Sequence, residues 1–162
     1  MQRMSKRERL EACLAGQRVD RIPISLWRHW PIDDRRGESL ARVSIHWQET
    51  FDFDFAKIMM GGDYLTAGWG ATAASYTGHP MGDYDWGPRP IQSPDDWHKL
   101  PVLDPYSGVL DDFRHGLQLI GRAFGEDTPF IPTVFDPLTE AKKLAGPDFL
   151  DLLRAHPDAV KA

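Results

Sequence analysis

Cysteine is almost missing: Cys13 is the only one in 162 residues, so no disulfide can close within the chain. Basic charge is in deficit too, with 19 Lys and Arg against 24 Asp and Glu, a net charge of −5. Phosphate backbones are gripped by concentrated positive charge, and no such block occurs, so nucleic acid is not an expected partner. Apolar runs are short, well under the ~18 residues that a membrane span needs, so no membrane partner is expected either. Residues Met1 to Arg7 lead into charged side chains and not into an apolar stretch, so no secretory leader is expected and the expected location is cytoplasmic. What remains is 41% hydrophobic and 11% aromatic, enough to bury a core and to exclude a disordered chain.

The pattern of elements begins with Ser5-Lys6-Arg7-Glu8, the spacing of a capping box, followed by a short helix with Leu10, Cys13 and Leu14 on the face expected to be buried. Gly16 closes it. An apolar stretch over 22–28 predicts a first strand, with Pro23 near its start, where strands tolerate proline. Ser39 opens a helix whose Leu40, Val43, Trp47 and Phe51 share a stripe. Residues 53–60 predict a second strand with apolar residues on both faces, as in a covered sheet.

Residues 61–94 carry seven glycines and five Tyr or Trp without helical period. So long an insertion is usually functional, and a short hairpin is expected around Gly78-His79-Pro80. Ser93-Pro94 reads as a helix start. A long helix follows over about 107–124, with Val109, Phe113, Leu117, Ile120 and Phe124 on one stripe and Gly125 as its stop. The third strand is expected over 130–135, ended by Asp136-Pro137, with further helical pieces after it. Strands separated by amphipathic helices require crossovers, hence a parallel sheet. Three strands do not close a barrel, so the expected fold is α/β, one partial domain over 1–162.

In such folds ligands gather at the carboxyl ends of the strands. That rule brings Arg28, His29, Asp63 and Asp136 to one rim, with the aromatic loop able to cover it. Each also has a plain structural reading. Arg28 could pair with Asp33 or Asp34, His29 could be a satisfied rim residue, Asp63 could shape a turn after Gly61-Gly62, and Asp136 could cap a helix. Asp33-Asp34-Arg35-Arg36 reads as a solvated charge run, and Lys57 must snorkel or pair with a carboxylate. The six histidines show no zinc-type spacing, so no metal ligands are assigned. No dinucleotide, Walker or nucleophile-elbow pattern is present. Arg with carboxylates under an aromatic lid suits a small carboxylated substrate.

Lys6-Arg7-Glu8-Arg9-Leu10, then Val19-Asp20-Arg21-Ile22-Pro23-Ile24, and later Phe135-Asp136-Pro137-Leu138-Thr139-Glu140-Ala141-Lys142-Lys143-Leu144-Ala145-Gly146, resemble the uroporphyrinogen decarboxylase family. The resemblance covers nearly the whole chain and rests on the combined order of its pieces. It implies an incomplete TIM (β/α)₈ barrel: an N-terminal helix plus about three βα units, with a long loop after the second strand. It also implies cofactor-free decarboxylation of a carboxylated tetrapyrrole, in porphyrin biosynthesis. Under it Asp63 is the expected catalytic carboxylate, while Arg28, His29 and Asp136 contact substrate. It leaves room for a homodimer of the full-length protein.

The chain departs from the decarboxylase pattern in two places. His29-Trp30-Pro31-Ile32-Asp33 follows Arg28 instead of Gln-Ala-Gly-Arg-Tyr, and Met59-Met60-Gly61-Gly62 replaces Phe-Ser-Asp. The family's other branch, corrinoid-linked methyltransferases in which zinc activates a thiol, is the alternative reading; its zinc ligands lie mainly in the barrel's later half. A third reading is a barrel fragment that is inert without a partner segment.

Overall fold

The computed structural model describes residues 3–79 and 84–161. By its internal contacts the chain divides into two units, one built from residues 1–60 and 112–133, the other from 61–111 and 134–162.

In the first unit, helix α1 (Lys6–Leu14) starts on the expected capping box, with Ser5 and Glu8 bonding each other's backbone N–H groups. Its buried face is not the expected one. Arg9 and Ala12 are buried, whereas Leu14 is 79% exposed and Cys13 is also exposed. The reason is electrostatic. The Arg9 guanidinium reaches Asp20 and Asp54, each at 2.6 Å, and this ion cluster turns the helix away from its apolar stripe. Asp54 also binds Arg21 and accepts from the Ile24 N–H at 2.8 Å.

That last bond corrects the expected first strand. Residues 22–28 form no ladder; the segment is tied by the Asp54 side chain and by Asp54 N–H to the Ile24 carbonyl at 2.9 Å. Pro23 removes one donor, and a side chain, not a neighbouring strand, takes the next. Ile22, Ile24 and Leu26 are exposed along it.

Helix α2 (Gly37–Phe51) buries Leu40, Ala41 and Val43 and ends at Asp52 in the left-handed region, φ 50°. Strand β1 (Ala56–Ile58) is shorter than the expected 53–60, with Ile58 almost fully buried. Helix α3 (Gly108–Phe124) starts in the second unit and continues into the first, where Phe113, Gly116 and Ile120 are buried. Its Gly116 meets α2 backbone to backbone. A Cβ there would stand 2.4 Å from the Gly37 carbonyl oxygen, so only glycine fits. Asp112 on α3 accepts from the Gly37 N–H at 2.9 Å, supplying the start of α2 with a cap its own sequence lacks.

Strand β4 (Phe130–Pro132) pairs with β1 in parallel, Ala56 opposite Phe130 and Ile58 opposite Pro132, as the crossover argument requires. The expected third strand stops at Pro132, three residues early, because the chain leaves the ladder after Thr133 N–H bonds the Ile58 carbonyl at 3.1 Å.

In the second unit, strands β2 (Ala73–Tyr76) and β3 (Tyr84–Trp86) form an antiparallel pair. This is the expected hairpin, although the turn residues 80–83 lie outside the described residues. Ser93 and Asp96 make a capping box on a 3-10 turn over Pro94–Lys99. Helices α4 (Pro137–Ala145), α5 (Phe149–Ala155) and α6 (Pro157–Val160) complete the unit. Its core gathers Ala71, Ile91, Trp97, Ala141, Leu144 and Phe149. Among the described residues no helix is long and apolar enough to cross a membrane. The chain as a whole is a mixed helix and strand fold with two small two-stranded sheets.

Candidate functional site

The first unit concentrates its chemistry just after the extended segment. Ile32 sits at φ 81° and ψ −54°, the strained values of a γ-turn and costly for a β-branched residue. The turn leads into a 3-10 turn over Asp33–Arg35, and Asp34 N–H closes on the Trp30 carbonyl at 2.8 Å. Asp34 is thereby fully buried, which corrects the reading of 33–36 as a solvated run. Its carboxylate lies 3.1 Å from Nδ1 of His29. A buried carboxylate on one ring nitrogen fixes the imidazole's orientation and leaves the other nitrogen for work.

Arg28 beside it is exposed, stacks on Trp30 at 4.5 Å and donates its Nε–H to the His29 carbonyl. Among the described residues no carboxylate takes its terminal nitrogens, so the expected pairing with Asp33 or Asp34 is not made; Asp33 pairs with Arg42 instead. Lys57 resolves its dilemma in a third way, placing its ammonium 4.2 Å from the Trp27 ring centre.

Asp63 and Asp136 belong to the second unit, and both have local work. Asp63 is buried. Its carbonyl accepts from the Thr66 and Ala67 N–H groups, and its carboxylate accepts from Ala73 N–H at 2.8 Å, holding the start of β2. Asp136 is exposed and caps α4, accepting from Thr139 N–H at 3.0 Å. The Thr139 hydroxyl and backbone bonds hold its carboxyl below the usual range.

The second unit also holds a cavity of about 640 Å³ that no motif in the sequence announced. Trp69, Trp97, Leu103, Phe135 and Leu144 give it apolar walls, and Glu140 is its one carboxylate. Glu140 is buried on α4. Its Oε1 accepts from Lys143 at 2.7 Å, while Oε2 has no hydrogen-bond partner. Burial pushes this carboxyl up; the Lys143 ammonium opposes the push without cancelling it. Lys143 meanwhile lies over the Phe135 ring. The Tyr64 hydroxyl, also buried, is pushed up to about 12 by burial and by the Glu140 charge.

A second orphan lines the same cavity: the indole N–H of Trp97 is buried without an acceptor, whereas Trp69 donates to the Pro101 carbonyl at 2.7 Å. An unsatisfied buried polar group costs about 1–3 kcal/mol, so two around one cavity need an explanation. The only signal for Glu140 in the sequence was a charge inside the apolar stripe of Ala141, Leu144 and Ala145. For Trp97 there was none, because an orphan N–H is a property of its neighbours.

No family model matches the sequence, and no curated protein does. Among solved structures the chain is similar to a methyltransferase from Methanosarcina mazei, with a TM-score of 0.77 and 18% identity over 98% of this chain. That alignment covers 52% of the methyltransferase, so the chain spans about half the length of the structure it matches. At this identity the likeness concerns the fold.

Proposed function

We propose that this chain is the first half of a (β/α)₈-barrel methyltransferase related to the uroporphyrinogen decarboxylase family. The observation that carries the reading is the fold likeness to the Methanosarcina methyltransferase along nearly the entire chain. The resemblance of its opening and of 135–146 to the decarboxylase family supports the same architecture. Porphyrin decarboxylation is the weaker reading, since the chain departs from the decarboxylase pattern after Arg28 and at 59–62.

In this reading Arg28 offers its terminal nitrogens to an anionic group of the substrate. His29, oriented through Nδ1 by Asp34, supplies Nε2 as a hydrogen-bond or proton-transfer group. Asp63 and Asp136 support the loops that follow the two parallel strands. The zinc that such methyltransferases use does not fit this chain: among the described residues no group of three or more His, Cys, Asp or Glu is placed to hold a metal. No step is therefore routed through it.

The test runs two reactions on one preparation. One is demethylation of methylcobalamin by a small thiol with zinc supplied, followed in the corrinoid spectrum; the other is CO₂ release from uroporphyrinogen. Methyl transfer that falls tenfold or more in Arg28→Ala supports the reading, and CO₂ release without methyl transfer overturns it. Absence of both reactions matches the inert-fragment reading, which the exposed Ile22, Ile24 and Leu26 on an unladdered segment favour.

A further inference from the structure

We infer that the second unit's cavity is a binding site for a flat, polycyclic aromatic molecule carrying a hydroxyl group, held by Trp97 Nε1–H and Glu140 Oε2. The argument starts from what the walls lack. Six apolar side chains offer area but no direction, so they accept many hydrophobic molecules equally. Direction comes from the two orphans, one a donor and one an acceptor. A hydroxyl is the smallest neutral group that satisfies both, taking a hydrogen bond from the indole and giving one to the carboxylate.

The donor–acceptor sense also selects against other ligands. A carboxylate ligand would set two like charges together at Glu140. An ether could receive from Trp97 but could give nothing to Oε2. An ammonium would compete with Lys143, which already neutralises Glu140 at 2.7 Å. Aromatic walls from Trp69, Trp97 and Phe135 favour a flat ring system, and about 640 Å³ accommodates several fused rings. Both orphan atoms are shielded from solvent, so the hydroxyl must enter past the apolar rim, and the indole and carboxylate turn to meet it. This inference does not rest on methyl transfer. It concerns binding alone, and its test reads no turnover.

The experiment is isothermal titration of the 162-residue chain with 9-phenanthrol, phenanthrene and 9-methoxyphenanthrene. The expected result is one site per chain for the phenol, with the other two binding at least tenfold more weakly. Trp97→Phe keeps the ring and removes the donor; Glu140→Leu removes the acceptor. Each should weaken the phenol tenfold or more while leaving phenanthrene within about threefold. Equal affinity for the phenol and its methyl ether, or phenol binding unchanged in Trp97→Phe, would overturn the assignment, as would no binding of any of the three. Because Trp97→Phe is nearly isosteric, the test survives even if Glu140→Leu folds poorly.

Discussion

Each unit buries one carboxylate, and the two are treated in opposite ways. Asp54 in the first unit is almost inaccessible, yet Arg9, Arg21 and the Ile24 N–H supply donors to both oxygens. Burial works to raise its carboxyl, and those hydrogen bonds outweigh burial, so the net shift is downward. Glu140 in the second unit has one ion pair and one empty oxygen, and burial wins, so its shift is upward. A buried charge with every lone pair used fastens structure; one left short, beside a cavity, marks a place where something else belongs.

The largest effect should come from dismantling the satisfied cluster. Asp54→Ala leaves Arg9 buried without its partner, and urea unfolding should show a loss of about 3–5 kcal/mol, as for broken buried pairs. A loss below about 1 kcal/mol would erase the distinction between the two carboxylates. Next in size, Gly116→Ala should cost about 1–3 kcal/mol by forcing α3 off α2, because the first unit has no slack there. Gly121→Ala, five residues along the same helix, meets only the Phe130 ring at ordinary contact distance and should stabilise by about 0.5–1 kcal/mol.

The smallest effect sharpens the comparison through pH. Asp54 has a folded value below its ordinary one, so its contribution is present above about pH 4 and is lost as pH falls. Glu140 has a raised folded value, so its contribution is greatest below pH 4.5 and is lost as pH rises from there. Lys143, Asp136 and Tyr64 are the charged or titratable groups that act on it. In unfolding curves taken at several pH values, Glu140→Gln should abolish the decline above pH 4.5 and leave the acid limb unchanged. Persistence of that decline would assign it elsewhere.

Much of the backbone plan was legible. Ser5 with Glu8, Ser93 before Pro94, Asp136 before Pro137, and the stripe of α3 all announced their helices, because caps and periodicity act within a turn or two. The parallel pairing of β1 and β4 followed from the helix between them. The candidate site was legible only in part. His29 stood out by type, but its partner Asp34 looked like one charge among four, since a strained turn at Ile32 is invisible in composition. Leu10, Cys13 and Leu14 were the apparent inner face of α1 until Arg9 claimed it.

By itself, the sequence determined where helices start, which strands need crossovers, and that an aromatic-rich loop separates them. Those properties rest on neighbours along the chain. Tertiary structure alone decided which charges are buried, since Arg9 meets carboxylates 11 and 45 residues away, and whether their hydrogen bonds are complete. Burial and satisfaction are sums over everything packed around a group. That is why Asp54 became a fastening and Glu140 an open valence, although both read alike as single acidic residues in apolar surroundings.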